Sequence, residues 1–126
     1  MTTEANEERH YEVNTIEDLT AIADQLQCTL YKGKANELLL DLDDEGTMVN
    51  MDVRNIVHEK FKILEEVSWT SRRGGRHIVL TLGTELPPPV RIGLQAALGS
   101  DPKREMLALW EWQMAGTDTI SLFKPK

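Results

Sequence analysis

The chain has 126 residues, 40% of them hydrophobic and 28% charged, which excludes a disordered polypeptide and, at about 100–200 residues per domain, leaves room for one domain. Its formal net charge is −7, which disfavours non-specific binding to duplex DNA, because phosphate affinity comes from Lys and Arg. No apolar run approaches the roughly 18 residues of a membrane helix. From the polar, acidic stretch Met1–Arg9 no secretory or transit leader is expected, and the lone Cys28 excludes an internal disulfide, so the expected location is cytoplasmic.

Residues 1–10 are expected to be a flexible N-terminus and residues 11–126 a single domain. Thr15-Ile16-Glu17-Asp18 resembles a capping box, and Leu19, Ile22, Ala23 and Leu26 follow at helical spacing. Cys28–Lys32 reads as a short strand turned at Gly33. Glu37–Asp43, with Leu38-Leu39-Leu40 at its centre, is too short and too flanked by breakers for a helix and reads as a buried strand.

Gly46-Thr47 opens a second helix carrying Val49, Val53, Ile56, Val57 and Phe61. Lys62–Thr70 and His77–Leu82 are strands, joined by the turn Ser71-Arg72-Arg73-Gly74-Gly75-Arg76. Pro87-Pro88-Pro89 stops the second of these strands. A helix through Val90, Leu94, Ala97 and Leu98 ends near Gly99. Asp101-Pro102 supplies an N-cap with proline at the first helical position for a helix with Met106, Leu109, Trp110 and Gln113, ended by Gly116. Thr119–Phe123 is the last strand.

Without the N-terminal additions this order is β-α-β-β-α-β, an α+β, RRM-like (ferredoxin-like) core. It predicts a four-stranded antiparallel sheet with helices on one face, plus an N-terminal helix. The strands at 37–43 and 77–82 are then central antiparallel neighbours, with the last strand flanking the first. Because side chains alternate along a strand, Leu40, Leu42, Ile78, Leu80 and Leu82 face the helices. Asp41, Asp43, His77, Val79 and Thr81 share the open face, with Asp43 expected to meet His77 and Asp118 to lie near the same end.

Carboxylates at i and i+2 on one strand form an oxygen pair suited to Mg²⁺ or Mn²⁺, and two such ions about 4 Å apart activate an attacking oxygen and stabilise a leaving one. Asp41, Asp43 and Asp118 are the metal candidates. Ser71, Arg73, Arg76 and His77 supply a hydroxyl, guanidinium groups and an imidazole for phosphates, beside glycines that let backbone N–H groups approach an anion. Each element also has a plainer reading: Asp41–Glu45 as a polar loop opening a helix, Arg72–Arg76 as a solvated hairpin tip. Met48, Met51, Met106 and Met114 read as core, the tryptophans as core or partner-facing aromatics, and Lys103 and Arg104 as solvated or phosphate-contacting.

The charge is uneven: residues 1–67 carry 16 acids and 6 bases, residues 68–126 carry 5 acids and 8 bases.

Leu38-Leu39-Leu40-Asp41-Leu42-Asp43 and the turn from Ser71 into Arg76-His77 resemble the first and second motifs of the archaeo-eukaryotic primase (primase-polymerase) superfamily. The resemblance covers residues 37–123. It implies that Asp41 and Asp43 bind catalytic metal and that His77 holds an incoming nucleotide's triphosphate. It further implies metal-dependent nucleotidyl transfer on a single-stranded nucleic-acid template, nucleoside triphosphates as substrates, a replication partner such as a helicase, and a virus or mobile element as source. The family's third motif is an acid on a later strand; Thr119–Phe123 has none, and Asp118 just precedes it. Two alternatives stand beside the enzyme: a catalytically inactive nucleotide- or nucleic-acid-binding module on the same fold, and an acidic interaction module whose N-terminal half mimics nucleic acid.

Overall fold

In the computed structural model, which describes residues 16–43, 47–71 and 74–125, the elements follow the expected order. They are α1 (Ile16–Gln25), β1 (Cys28–Lys32), β2 (Glu37–Leu42), α2 (Met51–Phe61), β3 (Ile63–Thr70), β4 (Arg76–Leu82), α3 (Pro88–Leu98), α4 (Pro102–Ala115) and β5 (Ser121–Pro125). The expected frayed start, the Thr15 cap, Gly46, Arg72 and Arg73 lie outside the described residues.

Local chemistry sets the helix ends. Asn50, rather than the Gly46-Thr47 pair, caps α2 by accepting from the Val53 N–H at 3.2 Å. Pro88 and Pro89 start α3 with backbone already near helical φ. Gly99 ends α3 at φ 111°, in the left-handed region that a side chain disfavours. Asp101 caps α4 by accepting from the Lys103 N–H at 3.1 Å.

The sheet departs from expectation. Among the described residues there is no four-stranded sheet: β2, β4 and β3 form a three-stranded antiparallel sheet, and β5 pairs with β1 in a separate two-stranded antiparallel ribbon. The cause is at the outer edge of β2. There the Leu39 N–H donates to Gln95 Oε1 at 2.9 Å and the Asp41 N–H to Ser100 Oγ at 2.9 Å. The Leu39 carbonyl accepts from Arg104 Nη1 at 2.9 Å, and the Asp41 carbonyl from the Asp101 N–H at 2.8 Å. Every group a fourth strand would need along this stretch is taken by the α3–α4 junction.

Over β2 and β4 both sheet faces are covered, while β3 is mostly exposed. Leu38, Leu40, Leu42, Ile78, Leu80 and Leu82 pack with Val57 of α2 and Leu98 of α3. The other face, expected to be open, packs Leu39 and Val79 against Ile92, Ala108 of α4, and Ile120 and Leu122 of the β5 segment. The period-two division of side chains holds; the exposure of the second face does not.

The β1–β5 ribbon is fastened at several points. The Tyr31 hydroxyl donates to the buried Glu37 carboxylate (2.7 and 2.8 Å), and burial, then this bond, pushes the Tyr31 phenol up to about 12. Trp69 Nε1 and His77 Nδ1 both donate to the Phe123 carbonyl, at 3.1 and 2.9 Å.

Helix α4 inverts the usual pattern: its buried residues are Glu105 and Ala108, while Met106 and Met114 are exposed. Met48 and Met51 are exposed as well, so the expectation that these four methionines belong to the core is overturned.

Candidate functional site

The strand register puts Asp41 directly opposite His77. The backbone groups of Asp41 point to the outer edge of β2, so this is a non-hydrogen-bonded pair, the kind whose side chains approach most closely. Asp41 Oδ1 and His77 Nε2 are 3.2 Å apart. Thus Asp41, not Asp43, meets the imidazole; Asp43 lies just beyond the end of β2 and is exposed.

His77 is buried, edge-on to Trp69 with ring centroids 5.7 Å apart. Both its nitrogens face oxygens: the Phe123 carbonyl at Nδ1, the Asp41 carboxylate at Nε2. A carbonyl and an ionised carboxylate can only accept, so against an ionised Asp41 the ring makes both hydrogen bonds only with a proton on each nitrogen. Burial by itself would raise the Asp41 carboxyl. The hydrogen bond and charge of His77, with Arg104 behind them, outweigh burial and hold it below its ordinary value.

A buried polar cluster supports this pair. Arg104 Nη1 approaches Glu105 Oε2 at 2.6 Å and Ser100 Oγ at 3.0 Å, and Nη2 donates to the Ser121 carbonyl at 2.9 Å. Gln95 Nε2 donates to Glu105 Oε1 at 2.9 Å. Burial, with the Asp41 charge added to it, raises the Glu105 carboxyl more than Arg104, Ser100 and Gln95 lower it. Arg104 also lines the cavity described below, but its guanidinium is engaged by these protein acceptors and ties β2, α4 and β5 together. Nothing local in the sequence marked Gln95, Ser100, Arg104 and Glu105 as one cluster, although a glutamine amid the apolar residues of α3 was a faint signal.

Asp41 and His77 open into a cavity of about 370 Å³, with Leu19, Leu30, Leu107 and Leu122 among its apolar walls and Lys103 and Glu111 at its polar margin. That volume lies at the small end of the roughly 300–1,000 Å³ range of ligand pockets.

The other expected site residues are placed elsewhere. The Ser71 backbone closes the turn, donating to the Gly75 carbonyl and accepting from the Gly74 N–H. Arg76 sits on the opposite face of β4 from His77, exposed, with Nη2 3.4 Å from Ser68 Oγ. Neither lines the cavity, and Arg73 lies outside the described residues. Asp118 is engaged by Arg91 Nη2 at 2.8 Å and Lys32 Nζ at 3.2 Å. Among the described residues, no group of three or more His, Cys, Asp or Glu side chains is arranged to hold a metal ion. The donor set expected for Mg²⁺ or Mn²⁺ does not fit this arrangement, because Asp118 is committed to two cations and Asp41 faces an imidazole.

The Asp41 shift predicts a pH dependence. Its folded pKa is below the unfolded one, so its stabilisation is complete above the unfolded value of about 3.9 and is lost as pH falls through the folded value. Asp41→Asn is expected to cost about 1–2 kcal/mol at pH 5. Urea unfolding followed to pH 2 should show the gap between variant and wild type closing below pH 4; a constant gap would mean that the carboxylate charge is not the source.

No helix among the described residues is long and apolar enough to cross a membrane. Comparison of the chain with protein-family models, characterised proteins and solved structures returns no match.

Proposed function

We propose that this chain is a nucleotide-binding module of a replication system, resembling the primase-polymerases in its Asp-x-Asp strand and histidine strand but binding rather than transferring its nucleotide. The observation that carries the reading is the Asp41–His77 pair, 3.2 Å apart at the wall of a single-ligand cavity. Leu19, Leu30, Leu107 and Leu122 offer an apolar slot for a base. Lys103 supplies a cation for a phosphate, and Asp41 accepts a hydrogen bond from a sugar hydroxyl or a base amino group. Binding is favoured over transfer because two-metal chemistry needs clustered carboxylates, and Asp118 is neutralised by Arg91 and Lys32. Under this reading the single-stranded template and a helicase-type partner belong to the larger assembly.

The test is calorimetric titration of the chain with ribo- and deoxyribonucleoside triphosphates, with Mg²⁺ and with chelator, beside a template-extension assay with Mn²⁺. Micromolar-to-millimolar binding that survives chelation and weakens at least tenfold in Asp41→Asn or Leu107→Glu is expected, with no extension. Absence of binding to every nucleotide would reject the reading. Extension that Asp41→Ala abolishes would replace it with nucleotidyl transfer.

A further inference from the structure

Helix α4 buries Glu105 and Ala108 and turns its apolar side chains outward. Met106 is 67% exposed, Leu107 61%, Leu109 41%, Trp110 60% and Met114 65%. At about 100° per residue, these five share one arc of the helix with Gln113 and Lys103. Single exposed apolar residues are ordinary; a contiguous patch on one helix marks an interaction surface. The inversion has a local cause, since the inward arc is occupied by Glu105 bonded to Gln95 and Arg104.

We infer that this face of α4 pairs two copies of the chain, antiparallel, about a two-fold axis at Trp110. Three features favour a second copy as the occupant. The chain is strongly acidic, yet this arc contains no acid, so two copies meet here without opposed carboxylates. The stripe is self-complementary: an antiparallel pairing centred on Trp110 sets Met106 against Met114 of the second copy, and the reverse, as an isologous interface requires. The same pairing brings Lys103, the one charge in the arc, alongside the C-terminal end of the opposite helix at Gly116, where the helix dipole is negative. The exposed apolar area is on the order of 600 Å² per copy, so complete burial of it in a pair reaches roughly the 1,200 Å² at which specific interfaces begin. The pairing is expected to be weak, because an area at this limit leaves little surplus over the cost of association. This surface shares Leu107 and Lys103 with the rim of the cavity that Asp41 and His77 line, but contains neither Asp41 nor His77, and the pairing does not rest on the nucleotide reading.

Sedimentation equilibrium of the full chain from about 5 to 500 μM tests the pairing. Wild type is expected to pass from monomer to dimer over this range. Trp110→Glu is expected to stay monomeric with an unchanged circular dichroism spectrum, because the side chain it replaces is exposed. Met106→Lys and Met114→Glu should each raise the dissociation constant at least tenfold. The double variant Met106→Lys/Met114→Glu should recover at least part of that loss, because each new cation faces a new anion across the axis. The two positions are eight residues apart on one helix, too far for the rescue to arise within a single chain. Wild type that remains monomeric, a dimer indifferent to the α4 variants, or a double variant weaker than both singles would each overturn the inference.

Discussion

Replacing Arg104 by alanine is expected to lower the unfolding free energy by about 3–5 kcal/mol, the usual cost of leaving a buried charge without its partner. The guanidinium lies against the Leu39 carbonyl of β2, Ser100 Oγ, the Glu105 carboxylate and the Ser121 carbonyl of β5. Alanine leaves Glu105, 2% exposed, without a cationic partner, its remaining side-chain donors being Gln95 and Ser100. Arg104→Lys should recover little, since an ammonium cannot span four acceptors with a planar fork. Arg104→Met combined with Glu105→Gln should recover more than half of the loss, because no unpaired charge remains.

The sign of the pH effect follows from Glu105. Burial places its folded pKa above the unfolded one, so folding is favoured where Glu105 is protonated, and this contribution is lost as pH rises through the folded value. Removing Arg104 strengthens that preference, so the destabilisation should be larger at pH 8 than at pH 5. Urea midpoints at the two pH values measure it. A loss below about 1 kcal/mol at pH 8 would mean that water reaches Glu105 and that the cluster does not hold the β2 edge.

The second large effect is expected at Asp118. Arg91 is 2% exposed, with Nε donating to the Leu86 carbonyl at 3.2 Å and Nη2 to Asp118 at 2.8 Å; its Nη1 has no partner among the described residues. Asp118 also accepts from the Ile120 N–H at 3.0 Å and so sets the chain entering β5. Asp118→Ala is expected to cost about 3–5 kcal/mol, and Arg91→Met/Asp118→Leu to be closer to wild type than either single change. The variant also separates two roles for this carboxylate. If it serves as an ion-pair partner, Mg²⁺ or Mn²⁺ leaves the wild-type melting temperature unchanged. A metal-dependent rise in wild type that disappears in Asp118→Ala would return Asp118 to the metal set.

Much of the local architecture was readable from residue order. The Leu38-Leu39-Leu40 run, the paired glycines after Ser71, the three prolines and the Asp101-Pro102 cap each act over a few residues, and all nine elements appear in the expected order. Antiparallel pairing of the two apolar strands followed from their length and alternation. That pairing alone places Asp41 and His77 on one face. The register differs from expectation by two residues: β2 ends at Leu42, opposite Arg76, so Asp41 rather than Asp43 stands opposite the imidazole.

The covering of that face was not readable in the same way. An apolar stripe at 106, 110 and 114 predicts an inward face, and in an isolated helix nothing contradicts it. Orientation was decided instead by Gln95, Ser100, Arg104 and Glu105, which satisfy the edge of β2 and turn the stripe outward.

Sequence alone therefore determined the elements, their order and the alternation that puts Asp41 and His77 on one face, because capping, turn chemistry and strand period operate between neighbours. Tertiary structure decided which edge β5 takes, which face is covered and where α4 points. Those outcomes depend on hydrogen bonds between Leu39 and residues 56 and 65 positions away, and no local pattern carries information over that separation.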